Sequence, residues 1–439
     1  MLKSFFFLSL SGEPIIEKHW RGISSRTLCD YFWDEVTKCD SKEDMPPIIC
    51  SSKYFLISIC KDGYFLLAIT SNESAPLLII EMLHRIYATL QEYFGVVDEG
   101  TIKDHFCTVY QLLEEMIDYG YALTTEPNAL KAMIEPPTMM SMITQFSTGK
   151  SNISDVLPDG TLSNTPWRTL GLKYSQNEIY LDIIEEIDAT VDCNGNIVST
   201  EVSGSIESNC HMTGMPDLNL EFTNPSVIDD CSFHPCVRYN RYEKNKIVSF
   251  VPPDGHFQLM RYRVVTNSPV VVPCYCQPQF HSYNINEGEC QINILVGLTA
   301  THSLIYPPAK AAMEVEDVEI IIPFGKLVQS ANLKATVGNI MFEESTKIAR
   351  WTIGKLVREK QTNLSGKVLF NKSKNSGAGK SCVTYQDTDT PHIQMHWKVP
   401  MASISGLAVA GLELMSENYK PYKGVRTLTK SGKFLIRSS

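Results

Sequence analysis

The sequence lacks what several protein classes require. No apolar run is long enough to cross a bilayer. Phe5 to Leu10 is too short for a signal-peptide core, and Ser11-Gly12-Glu13-Pro14 turns the chain at once, so no signal peptide is expected. Membrane contact is therefore expected to be peripheral or through a partner. A basic excess is also missing: 49 Asp plus Glu stand against 39 Lys plus Arg, a formal net charge of -10. Nucleic-acid binding, which calls for a basic domain, is not expected. No CxxC pair occurs among the 13 cysteines, and the closest pairs are Cys274/Cys276 and Cys231/Cys236. Zinc sites usually take four ligands, so no metal or other cofactor is expected, and the thiols read as reduced, buried groups of a cytosolic protein. In that setting the Asn-x-Ser matches at Asn72, Asn152, Asn363 and Asn371 carry no glycan.

Catalytic patterns are missing as well. S-G-A-G-K-S at 376–381 approaches a phosphate loop, but Lys374 stands where its first glycine belongs, and the segment lies in a polar loop between strands. No Gly-x-Ser-x-Gly nucleophile elbow occurs. His84 and His105 fall in helical stretches and read as ordinary helix-face residues. An enzyme is not expected.

What is present is ordinary globular composition over 439 residues, enough for roughly two to three domains. Residues 2–10 read as a buried strand, turned by 11–14 into an antiparallel partner at 15–20. A helix follows, with Ser25 as cap and Leu28, Tyr31, Phe32 and Val36 at helical spacing, and Pro46-Pro47 ends it. Strands are expected at 48–50, 54–60 and 65–70, the last two joined by the hairpin Lys61-Asp62-Gly63-Tyr64. A second helix runs from Pro76 to Gly95, a third from about Ile102 to Tyr119, and a short one from Asn128 to Ile134. Residues 1–140 thus form an α+β domain. From 141 to 165 Ser, Thr, Asn, Gly, Pro and Asp dominate, the composition of a flexible linker.

Residues 166–439 show no long helix pattern. Strands are expected at 178–191, 197–206, 217–222, 246–251, 257–265, 269–276, 290–299, 314–322, 331–342, 346–353, 366–370, 392–399, 405–414 and 424–436, an all-β sandwich. In the first, Ile179, Leu181, Ile183 and Ile187 share one face, and Tyr180 and Asp182 lie on the other.

The stretch 166–188, P-W-R-T-L-G-L-K-Y-S-Q-N-E-I-Y-L-D-I-I-E-E-I-D, resembles the signature of the medium (mu) subunits of clathrin-adaptor-type complexes. S-F-V-P-P-D-G-H-F-Q-L-M-R-Y-R at 249–263 is similar to the family's second signature, with Val251 where Ile is usual. V-Y-Q-L-L-E-E-M-I-D-Y-G at 109–120 resembles the longin-like N-terminal domain of mu and sigma chains. Residues 214–220, 229–239 and 419–434 look most like the class found in the third adaptor complex.

The resemblance implies a longin-like domain followed by a mu-homology domain. It also implies a heterotetramer with two large adaptin subunits and one small sigma subunit. The implied ligand is a Tyr-x-x-Φ sorting signal (Φ bulky and apolar) in cytosolic tails of membrane proteins, bound by β-augmentation. The implied place is the cytosolic face of Golgi- and endosome-derived vesicles, on a route to lysosome or vacuole. Carried over residue by residue, the tyrosine pocket holds Asp182 as phenol acceptor, Tyr180 and Arg426, and the apolar pocket holds Leu181, Val409, Leu412 and Val425. Gly424 stands where the first and second complexes have a tryptophan, and Asn209 where the second has a basic residue. Both departures imply weak, selective binding, roughly micromolar to tens of micromolar. The family's lipid-binding surface is not evident: Lys326, Lys334, Lys347, Lys355, Arg358, Lys360 and Lys367 are dispersed. A stand-alone endocytic adaptor, or another coat subunit with a disabled tyrosine pocket, is the rival reading, and the longin-like domain argues against the former.

Overall fold

The structure, a computed structural model, describes residues 2–39, 42, 45–72, 74–137, 165–193, 195–265, 270, 272–282, 289–299, 315–324, 328–356, 362–370 and 392–437. The expected linker (Thr165 aside), the 376–381 loop, Asn152, Asn371, Lys326, Arg358 and Lys360 lie outside them. The chain divides into two compact units, Met1–Leu170 and Gly171–Ser439.

The first unit is built on β1 (Ser4–Leu8), β2 (Pro14–His19), β3 (Ile48–Cys50), β4 (Phe55–Lys61) and β5 (Tyr64–Thr70), an antiparallel sheet in the order β2-β1-β5-β4-β3. The central strands S-F-F-F-L and Y-F-L-L-A-I-T are buried along their whole length because helices cover both faces. Strand alternation sorts their side chains. Phe5, Phe7, Leu66 and Ala68 pack with Ile79, Leu83, Ile86 and Leu90 of α2 (Pro76–Phe94) and with Val109 and Leu113 of α4 (Phe106–Met116). Phe6, Leu8, Phe65 and Leu67 pack with Cys29, Phe32 and Val36 of α1 (Thr27–Val36). The β4–β5 hairpin turns on Asp62 (φ 50°) and Gly63 (φ 81°), the left-handed pair a two-residue turn requires.

The third expected helix is two. Asp98 accepts from the Thr101 amide at 2.7 Å and starts α3 (Glu99–Asp104) ahead of the apolar stripe. His105 (φ -113°, ψ 23°) breaks the path, its ring stacked on Phe94 at 5.1 Å, and α4 begins after it. The chain beyond Met116 is strand: β6 (Ile117–Asp118) and β7 (Tyr121–Ala122) pair around Tyr119 (φ 46°) and Gly120 (φ 83°). A Cβ on Gly120 would sit 2.1 Å from the Leu2 carbonyl oxygen, so only glycine fits. The short helix is α5 (Pro127–Met133).

The second unit is almost entirely strand. Its strands are β8 (Glu178–Val191), β9 (Ile197–His211), β10 (Leu218–Phe222), β11 (Ile228–Phe233), β12 (Val248–Phe250), β13 (Gly255–Val264), β14 (Cys274–Ser282), β15 (Glu289–Leu298), β16 (Val315–Pro323), β17 (Val328–Ala335), β18 (Asn339–Glu343), β19 (Ile348–Leu356), β20 (Thr362–Phe370), β21 (Ile393–Pro400), β22 (Val409–Leu414) and β23 (Tyr422–Ile436). The largest sheet runs β11-β13-β9-β8-β23-β21-β16-β19-β18; β12-β10-β22 and β14-β15-β20-β17 form two smaller ones. The expected strand 331–342 is two, β17 and β18 in different sheets, because Gly338 (φ 80°) turns the chain against the Thr352 carbonyl. Strand β11 and the short helix α6 (Tyr239–Asn245) went unanticipated. Among the described residues no helix is long and apolar enough to cross a membrane, and no group of three or more His, Cys, Asp or Glu is placed to hold a metal ion.

Candidate functional site

Strand β8 alternates strictly. Ile179, Leu181, Ile183 and Ile187 are buried at 0–1% exposure, and Tyr180 and Asp182 face the other way, half-buried. Strand β23, from the far end of the sequence, runs parallel beside it and pairs Tyr180 with Gly424, Leu181 with Val425 and Asp182 with Arg426. Paired residues of neighbouring strands point to the same face. Tyr180, Asp182, Gly424 and Arg426 therefore share one face, and Leu181 and Val425 share the opposite one.

On the polar face Arg426 grips Asp182 with both arms of its fork: Nε donates to Oδ1 at 2.8 Å and Nη2 to Oδ2 at 2.7 Å. That bond to Asp182 holds the Arg426 guanidinium above its ordinary pKa. The pair is exposed on the arginine side, so it fixes geometry more than it stabilises the fold. A carboxylate offers about four lone-pair positions, so each Asp182 oxygen keeps one for a further donor. On the neighbouring strand β9, Glu207 lies opposite Asp182 and Asn209 opposite Tyr180. Glu207 is answered by Gln258, whose amide donates at 2.8 Å.

Tyr180 explains Gly424. A Cβ on Gly424 would fall 2.5 Å from Cδ1 and 2.8 Å from Cε1 of the Tyr180 ring, so the ring lies across the glycine. Tyr422 tilts against the same ring at 5.7 Å and 51°. The Tyr180 hydroxyl donates to Glu178 at 3.2 Å. Partial burial, then the Glu178 carboxylate, pushes its pKa up, and it stays a donor at neutral pH.

On the apolar face Leu181 is fully buried, Leu412 is 7% exposed, Val409 is half-buried and Val425 is 44% exposed. Leu412 and Val409 belong to β22, which pairs with β10, not with β23. The tie between the two strands is Lys423, whose ammonium donates to the Leu412 carbonyl.

The start of β23 is paired on one edge only among the described residues. Strand β21 covers its later part, matching Pro400 with Leu428, Val399 with Thr429 and Lys398 with Lys430. The last link is Met401 N–H to the Thr427 carbonyl at 2.8 Å. The Tyr422 amide points the other way, to Asn177 beside β8, at 2.8 Å. Alternation then aims the main chains of Lys423 and Val425 at the open edge.

Tyr422, Lys423 and Glu207 were not singled out from the sequence. The signal for the first two was there: Tyr422 shares the parity of Gly424 and Arg426, and Lys423 that of Val425. Of the dispersed lysines, Lys355 lies 3.6 Å from Glu316 and Lys347 donates to the Gln329 carbonyl at 3.3 Å.

Residues 165–438 match the family model described as the adaptor complexes medium subunit family, and residues 1–139 match the clathrin adaptor complex small chain. The chain is 44% identical over 440 residues to "AP-3 complex subunit mu" of Dictyostelium discoideum, covering 100% of both. It is 41% identical over 438 residues to "AP-3 complex subunit mu-1" of Gallus gallus and 40% over 440 residues to that of Homo sapiens, again with 100% of each chain covered. Among known structures, "Homology model of the full-length AP-3 complex in an intermediate open conformation" aligns over 100% of both chains with a TM-score of 0.57 at 16% identity, a likeness of fold.

Proposed function

The chain belongs to the adaptor complexes medium subunit family, and from that premise we propose that it reads Tyr-x-x-Φ sorting signals in the cytosolic tails of membrane proteins. Its coarser role is that of a cargo-recognition subunit in a multi-subunit adaptor complex, without catalysis. The complex is a peripheral, vesicle-associated one. The finer assignment adds two large adaptins and a small sigma chain as partners, and Golgi- or endosome-to-lysosome or vacuole transport as the route.

The observation that carries the reading is the half-open edge of β23 between two chemically different faces. An extended peptide laid along Lys423–Val425 gains main-chain bonds there. Its side chains alternate, so residues three apart, about 10 Å along the strand, emerge on opposite faces. A tyrosine on the polar face meets Asp182, which accepts its hydroxyl hydrogen bond, and Arg426 and Tyr180 flank the ring. The Φ residue, three positions on, meets Leu181, Val425, Leu412 and Val409. An odd spacing between signal residues is what such an edge requires.

The test is titration of the full chain with a Tyr-x-x-Leu peptide, beside Asp182→Ala and a Tyr→Ala peptide. Binding at about micromolar to tens of micromolar is expected for the wild type. Each control loses about 1.5–3 kcal/mol, the strength of a hydrogen bond to a charged group. No binding up to about millimolar would overturn the reading. The glycine at 424, the asparagine at 209 and the arginine already seated on Asp182 would then describe a disabled pocket.

A further inference from the structure

Glu185 is a carboxylate at 0% exposure on β8, on the same face as Leu181 and four residues further along the strand, about 13 Å. Among the described residues it faces no cation at ion-pair distance. Instead it collects hydrogen bonds almost entirely from one short loop. Ile404 N–H donates to Oε2 at 2.7 Å and Ser405 N–H to the same oxygen at 3.1 Å. Ser403 Oγ donates to Oε1 at 3.0 Å, and Ser405 Oγ donates to it as well. Among the described residues the one donor from elsewhere is the Tyr262 hydroxyl, 3.3 Å from Oε1. Its ring crosses Gly204, where a Cβ would lie 2.1 Å away.

The loop's place in the chain gives this arrangement its meaning. It leaves β21 after Pro400 and enters β22 at Val409. Ser405 Oγ also accepts from the Leu407 amide at 3.0 Å, which sets the approach to β22. The loop therefore hangs the wall that bears Val409 and Leu412 from the strand that bears Leu181 and Asp182. Strand β22 is held besides by β10, in a different sheet from β8, and by the Lys423 ammonium of β23 at the Leu412 carbonyl. Without Glu185 two part-buried backbone amides and three hydroxyls would lose their acceptor, and the wall its tether to β8.

We infer that Glu185 is a positioning residue that sets the depth of the apolar pocket, and with it the choice of Φ, while leaving the tyrosine face untouched. This rests on the reading of the chain as a Tyr-x-x-Φ reader. Tyrosine and Φ selection are separable because Glu185 and Asp182 point to opposite faces of one strand.

The experiment uses the full chain as wild type, Glu185→Ala and Glu185→Gln, with three peptides: Tyr-x-x-Leu, Tyr-x-x-Ala and Ala-x-x-Leu. Wild type is expected to prefer Leu to Ala at Φ by about tenfold or more. In Glu185→Ala that preference falls at least about fivefold, and the preference for Tyr over Ala holds within about twofold. Glu185→Gln retains a carbonyl oxygen for the two amides, and the hydroxyls can turn, so it rescues the Φ preference. Amide hydrogen exchange reads the tether without peptide: Ile404 and Ser405 exchange at least about tenfold faster in Glu185→Ala. If that variant does not fold, Ser403→Ala with Ser405→Ala removes the hydroxyl half of the cage and is held to the same Φ criterion. An unchanged Leu/Ala ratio in a folded variant, or an equal fall in both preferences, overturns the inference alone. Wild-type protein that binds none of the peptides overturns the tyrosine-signal reading, and the Φ inference with it.

Discussion

Gly424 shows how one missing side chain shapes the tyrosine face. The Tyr180 ring occupies the space a Cβ would need, and Tyr422 closes on the same ring. The aromatic surface that a tryptophan at 424 would bring is here supplied from the neighbouring strand. Gly424→Ala must push the Tyr180 ring aside, and we expect peptide affinity to fall about three- to tenfold. In a Tyr180→Ala background the same substitution should cost little, since contacting residues couple. A double-mutant cycle by titration checks this, and an undiminished affinity in Gly424→Ala alone would count against it. Alternation in the sequence was enough to separate Tyr180 and Asp182 from Leu181. It was not enough to seat Arg426 on Asp182, 244 residues away, because pairing between strands so distant is a tertiary event. The family resemblance put both residues in one pocket without pairing them.

At the scale of elements, what failed and what matters share a cause: pairing decides where a strand begins, ends or stays open. The stripe from Ile102 to Val109 has helical spacing, yet His105 cuts it, and beyond Met116 the left-handed pair Tyr119-Gly120 turns the chain into a hairpin. Asp-Tyr-Gly-Tyr was a turn signal overridden by apolar periodicity. Strand β11 was missed because Asp229, Asp230 and Ser232 carry little strand propensity, and its pairing with β13 supplies the order. The half-open edge of β23 was likewise invisible, for nothing in 422–436 reveals that β21 covers only its later part. That edge makes a prediction. The Val425 amide faces the opening and β8 does not use it, so Val425→Pro should keep the pairing with β8 while deleting a donor to the peptide. Affinity is expected to fall at least about tenfold further than in Val425→Ala, which loses only side-chain area. Equal losses in the two variants would show that the peptide does not add as a strand on this edge.

Taken whole, the molecule has two separately cored units. The core of the first is split by its sheet, and Phe32 lies at the centre of the α1 side, fully buried and edge-on to Phe65 at 5.3 Å. Phe32→Ala should cost about 3–5 kcal/mol, a large share of what holds a domain of that size together. If the first unit carries assembly with the large and small chains and the second carries the peptide, the two functions must separate in this variant. Co-purification with those partners is expected to fall steeply. Affinity of the full chain for Tyr-x-x-Leu should stay within about twofold, because the core that Phe32 fills belongs to the other unit. The opposite substitution, Asp182→Ala, should leave co-purification intact, since it removes the half-buried partner of a surface pair and no core contact. A Phe32→Ala chain that still assembles normally, or that loses peptide binding in step with assembly, would show that the division of labour between the units is drawn in the wrong place.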